Sequence, residues 1–159
     1  MNKWKTTVLA VLLCALSSAI DPAAAQTPTP PQTPPAAAPA QTPSPPGAAV
    51  YIINPKDGDT LTSPFKVQFG LTGMGIAPAG VEKPNTGHHH LLIDTKLTDE
   101  QLKAAIPSDD KHRHFGGGQT EAMITLPPGE HTLQLVLGDW SHVPHKPPVM
   151  STPITITVK

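Results

Sequence analysis

AMITLPPGEHTLQLVL, residues 122–137, is the stretch whose reading decides the architecture. Ala122, Ile124 and Leu126 recur at every second position, and Leu133, Leu135 and Leu137 do the same. A period of two marks strands with one buried face. Between them Pro127-Pro128-Gly129 carries type II turn chemistry, because the glycine there must take a positive φ. The two runs are thus expected to form a hairpin.

The same signal recurs on both sides. Val50 to Ile53 is a short β-branched and aromatic run closed by Asn54-Pro55 and Asp57-Gly58. Phe65, Val67, Phe69 and Leu71 alternate with Lys66, Gln68 and Gly70. His88 to Asp94 begins polar and ends in Leu91-Leu92-Ile93, and Lys111 to Phe115 reads as a short strand before Gly116-Gly117-Gly118. Ile154, Ile156 and Val158 alternate with threonines. One short helix is expected from Thr98 to Ala105, with a Thr98/Gln101 capping box, Leu97 and Leu102 at staple spacing and Pro107 as its stop. About seven short strands in about 110 residues predict an all-β fold, an immunoglobulin-like antiparallel β-sandwich with one short peripheral helix. A small barrel is the alternative.

The segments around this domain are of another kind. Lys3 and Lys5 precede an apolar run from Thr7 to Ile20, and Ala23-Ala24-Ala25 supplies small residues for cleavage. Residues 1–25 therefore read as a signal peptide. Cys14, the single cysteine, lies inside the apolar run behind Leu13 and leaves with the signal. Gln26 to Ala48 holds nine prolines among Thr, Ala, Gln and Ser, without charge. It reads as a disordered linker, because it cannot bury enough apolar surface to offset its ordering entropy. The domain then runs over 49–159, and the expected address is periplasmic or secreted. Its balance of nine Lys and Arg against eleven Asp and Glu is not basic enough to track nucleic acid. No long apolar stretch suggests membrane insertion after cleavage.

PAGVEKPNTGHHHLLID, HFGGGQTE, LPPGEHTLQLVLGD and HVPH resemble an exported bacterial family known as a domain of unknown function. The resemblance extends over the whole domain. It implies domain boundaries and the immunoglobulin-like module, and it brings no activity.

All eight histidines lie in the domain. In a sandwich of this type the loops after the second, fourth and sixth strands share one end. His88 to His90, His114, and the pair His142 and His145 are all placed there. Leu91 and Ile93 face the core, so His89 points with them, while His88 and His90 share the other face. The candidate metal ligands are His88, His90, His114, His142 and His145, with Asp139 as a weaker one. Neutral imidazoles suit Cu or Zn, and the mature chain offers no thiolate. Met74 and Met150 flank the region. His131 stands at the opposite end as a structural residue.

The competing reading is a non-catalytic scaffold docking an envelope protein or glycan, its histidines structural and Trp140 able to stack on a ligand. No serine sits in a nucleophile elbow and no glycine-rich phosphate loop is present. Protein recovered from the cell envelope or medium should begin at Gln26 by mass spectrometry. Retention of Cys14, with or without lipid, would overturn the soluble exported form.

Overall fold

The computed structural model describes residues 41–159. The expected signal peptide and the linker as far as residue 40 lie outside the described residues. The fold is an all-β sandwich. Its strands are β1 (Ala49–Asn54), β2 (Thr60–Leu61), β3 (Phe65–Thr72), β4 (Gly75–Ile76), β5 (Thr86–Ile93), β6 (His112–His114), β7 (Glu121–Ile124), β8 (Gly129–Gly138) and β9 (Ile154–Val158). One sheet has the order β1-β3-β7, and the other β2-β9-β8-β5-β4 with β6 also on β5. Pairing is antiparallel except for the two-residue strands β2 and β4, which lie parallel to β9 and β5.

The core fills the space between the sheets. Val50, Val67, Phe69, Leu91, Leu133, Leu135, Leu137 and Ile156 meet there from both sides. The alternation expected in each run is therefore the alternation of inner and outer faces. Strand β5 departs from it: its residues Gly87 to Ile93 are all buried. On its outer face Leu92 packs with Ile106 and Val136, backed by Leu97 and Met150, as a second small cluster. A strand buried on both faces in the outer half of a sandwich needs a cover. Here the cover is the chain from Leu97 to Ile106 and the loop after β8.

Three expectations are corrected. The 122–137 stretch is not a hairpin, because β7 pairs with β3 while β8 pairs with β5 and β9. Ile124 and Leu133 face the same core from opposite sheets, and the chain arches between them. Gly129 takes φ 144, away from the ~80° of a type II turn.

The helix expected over Thr98 to Ala105 is a single 3-10 turn, Gln101–Lys103. Its capping box does form: Thr98 N–H donates to Gln101 Oε1 at 2.9 Å and Gln101 N–H to Thr98 Oγ1 at 3.3 Å. Ala104 is already extended. The residue before Pro107 avoids the helical region, and Ile106 must reach the buried cluster on β5.

The tract expected to be disordered through Ala48 is held to the domain from Gln41 onward. Gln41 Nε2 donates to Leu102 O at 2.6 Å and to Pro144 O at 3.0 Å. Ser44 N–H donates to Lys146 O at 3.1 Å, and Lys146 N–H to Thr42 O at 2.9 Å. Composition misses this, because the contacts are backbone pairings that need no apolar side chain.

Leu135→Ala, a core truncation, should destabilise the domain by roughly 2–5 kcal/mol in denaturant unfolding. Thr98→Ala, which loses one cap on one exposed turn, should cost about 1 kcal/mol or less. The reverse ranking would contradict the core assignment.

Candidate metal centre

The pairing of β5 with β6 and β8 sets out the histidines. His90 lies opposite His114 on β6 and Val136 on β8, and His88 lies opposite Gly138. His89 turns inward and packs on Phe69, ring centroids 5.1 Å apart, while Nδ1 pairs with Gln119 O at 3.2 Å. His88 and His90 turn outward. Both are 0 % exposed, while His114 and His142 are only half-buried.

Four rings assemble on this outer face. The centroids of His88, His90 and His114 are 4.9 to 5.0 Å apart. His142, from the loop after β8, packs on them at 4.7 to 6.0 Å. The Nε2 atoms of His88 and His90 face each other at 3.0 Å. His88, His90 and His114 each offer a nitrogen lying within 4.8 Å of the others, a set able to hold a metal ion. Residues distant in sequence are thus brought together.

Two of the candidates are placed elsewhere. His145 is buried with Nε2 3.2 Å from Thr86 O and Nδ1 3.4 Å from Leu137 O. Both of its nitrogens face backbone carbonyls, so it fastens the start of β5 to β8. Asp139 has its carboxylate fully occupied. Its Oδ1 accepts from Ser141 N–H at 2.8 Å, Ser141 Oγ at 2.8 Å and Val143 N–H at 3.0 Å, and its Oδ2 from Thr42 Oγ1 at 2.6 Å. Burial pushes its pKa up, but these donors outweigh it and hold the carboxyl below the usual range. Asp139 organises a loop and lies outside the convergent group of His88, His90 and His114. His131 stands apart, as expected, with Nδ1 2.7 Å from Asp94 Oδ2 and Nε2 2.9 Å from Pro127 O. His112 is held at 2.9 Å by Asp109.

Two glycines make room for the cluster, and the sequence reading took neither as part of it. A Cβ on Gly138 would lie 2.8 Å from His90 Nε2, and one on Gly116 would lie 2.5 Å from His114 Nε2. The available signal was Gly138 itself, since a glycine inside a strand marks a close approach.

Nδ1 of His88, Nδ1 of His90 and Nε2 of His114 are buried without a hydrogen-bond partner, as are Nε2 of His89 and Nε2 of His112 outside the cluster. Such groups cost about 1–3 kcal/mol each when left unpaired. Burial first, then His142 and His114, pushes the His88 pKa down to about 4, with Asp139 pulling back. Burial first, then His88, His114 and His142, pushes His90 down to about 2. His114 is lowered by burial and then by His142. All three are therefore neutral at neutral pH, the form a metal needs.

The shifts set a pH dependence for the metal-free domain. Above 6.5 His88 and His90 are neutral whether folded or unfolded. Below it the unfolded chain binds protons that the folded chain refuses, so stability falls as pH drops from 6.5 through about 4. His131 works the other way. Its hydrogen bond to Asp94 raises its pKa, so its contribution is full below 6.5 and fades as pH rises through the folded value. Four histidines lowered by burial, His88, His89, His90 and His114, oppose one. The melting temperature should be lower near pH 5 than near pH 7.5, and His90→Gln should flatten the difference. Equal melting temperatures in the parent chain would mean that the rings are hydrated.

Neither a curated protein nor a solved structure matches the chain. A family model does match, beginning at Val67 inside β3 and so leaving out β1 and β2, which the expected extent included. The family is described as a domain of unknown function (DUF4399), its model covers residues 67–159, more than half of the chain, and the protein belongs to it.

Proposed function

We propose that this domain binds a divalent metal ion, of the zinc or copper class, through His88, His90 and His114. The observation that carries the reading is the convergence of three ring nitrogens within 4.8 Å of one another. Neutral imidazoles are borderline ligands that suit Zn(II) and Cu(II). A hydrogen-bonded structural cluster, with one proton shared between the His88 and His90 Nε2 atoms, is the competing account. A cation accepting both Nε2 lone pairs engages the atoms that already face each other, and under either account the two Nδ1 atoms stay unpaired.

The setting belongs to the same proposal. A signal peptide over residues 1–25 directs the chain to the periplasm or medium, and the domain there handles or stores the ion. The order β1-β3-β7 against β9-β8-β5-β6 supports reading the sandwich as immunoglobulin-like. A second reading rests on Trp140, 40 % exposed at the mouth of a pocket of about 330 Å³ lined also by Thr42, Glu82, Lys83 and Asn85. An aromatic face beside polar side chains suits a glycan or a peptide of an envelope protein, and the domain is then a docking module.

Calorimetric titration of the mature chain with Zn(II) and with Cu(II) separates the two. Uptake of one equivalent is expected. His88→Ala or His90→Ala should weaken it by roughly tenfold or more, since even outer partners of ligands contribute that much, and His131→Ala should leave it unchanged. No uptake by the parent chain would overturn the metal reading and leave the docking module.

A further inference from the structure

The loop after β8 is held more firmly than its exposure requires. His142 adopts φ 71, the left-handed region that a β-carbon disfavours. Its backbone is anchored on both sides: its N–H donates to Asp139 O at 2.9 Å, and its carbonyl accepts from Ile106 N–H at 2.9 Å. Asp139 N–H donates to Val143 O at 2.9 Å, closing the loop around it. Among the described residues the His142 ring makes no hydrogen bond. A non-glycine residue fixed in this conformation with an idle polar side chain points to a use for that side chain.

The ring geometry indicates the use. An ion held at about 2.0–2.1 Å by a ring nitrogen lies about 3.2 Å from the ring centroid, so four rings around it tetrahedrally have centroids about 5.2 Å apart. The six separations among His88, His90, His114 and His142 run from 4.7 to 6.0 Å. A square-planar set would instead hold two disjoint pairs at about 6.4 Å by the same bond lengths. The separation of 6.0 Å belongs to His90 and His142, while the complementary pair, His88 and His114, is at 5.0 Å. The nitrogens of His142 lie outside the convergent set of three, so the spacing places its ring and not its ligand atom, and ligation would need a turn about its side-chain torsions.

Resting on the metal reading above, we propose that His142 is the fourth ligand of a closed tetrahedral site of the zinc class, and that Asp139 and Thr42 are its positioning residues. Asp139 sets the loop through the donors of Ser141 and Val143, the two neighbours of His142. Thr42 holds the other carboxylate oxygen at 2.6 Å. Gln41, beside it, bridges Leu102 O and Pro144 O, which joins the two segments that cover the cluster. The N-terminal strap and the ion therefore favour the same arrangement of one loop. Metal affinity depends on the docking of the strap, and the bound ion in turn protects the strap, by reciprocity of coupling.

The test uses the whole mature chain, Zn(II) for affinity and Co(II) as a spectroscopic probe of coordination. The parent chain should give the intense visible bands of tetrahedral Co(II). His142→Ala should shift those bands at saturating Co(II), as water takes the fourth position, and bind Zn(II) at least about tenfold more weakly. His142→Asn, which tolerates the left-handed backbone, serves if the alanine variant does not fold. Thr42→Val should weaken Zn(II) binding several-fold and Thr42→Ser should restore it, with amide exchange at Gln41 to Ser44 slowed by Zn(II) in the parent chain only. Uptake with unchanged Co(II) bands in the His142 variants would overturn the fourth ligand while sparing the three-histidine site. Equal affinity for Thr42→Val and the parent would overturn the positioning role. A parent chain that takes up neither ion fails the metal reading itself, and this inference with it.

Discussion

Burial of β5 on both faces is the constraint on which the rest of this structure depends. Its inner face contributes Leu91 and Ile93 to the sandwich core, as any central strand does. Its outer face carries His88, His90 and Leu92 into a second enclosed space. Imidazoles in such a space need partners, because a low-dielectric interior makes an unpaired polar group costly. The chain has not supplied carbonyls or carboxylates for them. It has brought in more imidazoles, His114 across β6 and His142 from the loop above. Like groups that repel when protonated are a poor structural solution and a good ligand set.

The cover over that space follows from one carboxylate. Asp139 ends β8 and spends all its lone-pair capacity on Ser141, Val143 and Thr42. This shapes the loop so that Val143 is buried, His142 is fixed in the left-handed region, and His145 reaches the carbonyls of Thr86 and Leu137. Ile106 then pins the second covering segment to the His142 carbonyl. The fold-level statement that the domain is a sandwich therefore says little about the site. The site is made by a satellite layer laid on the outside of one sheet.

Much of this was legible in the sequence for identifiable reasons. Strand parity alone sends His89 inward and pairs His88 with His90, because Leu91 and Ile93 mark the buried face. Strand order brings His114 and His142 to the same end. What was not legible depends on groups that have no periodicity. Nothing in HVPH distinguishes His142 from His145, since their directions are set by backbone bonds within the loop. Asp139 reads as a possible ligand until its four donors are known. The connection from β7 to β8 reads as a hairpin because alternation is the same whether two strands share a sheet or face each other across a core. Gln41 to Ser44 reads as linker because proline-rich composition hides the backbone groups that pair with Lys146.

The contrast between the two ends of the sandwich sharpens the reading of the histidines. His131 shows how this chain builds a structural histidine. One nitrogen meets a carboxylate, the other meets a carbonyl, and the group gains a proton more readily than a free imidazole. His145 approaches the same solution with two carbonyls. His88, His90 and His114 follow neither pattern. They are neutral, short of partners, and aimed at one another. Within a single domain, the same residue type thus appears in two chemical states separated by environment alone. His88 and His90 instead turn their Nε2 atoms to each other, and not to a carboxylate or carbonyl, which is the arrangement that the proposed cation would share.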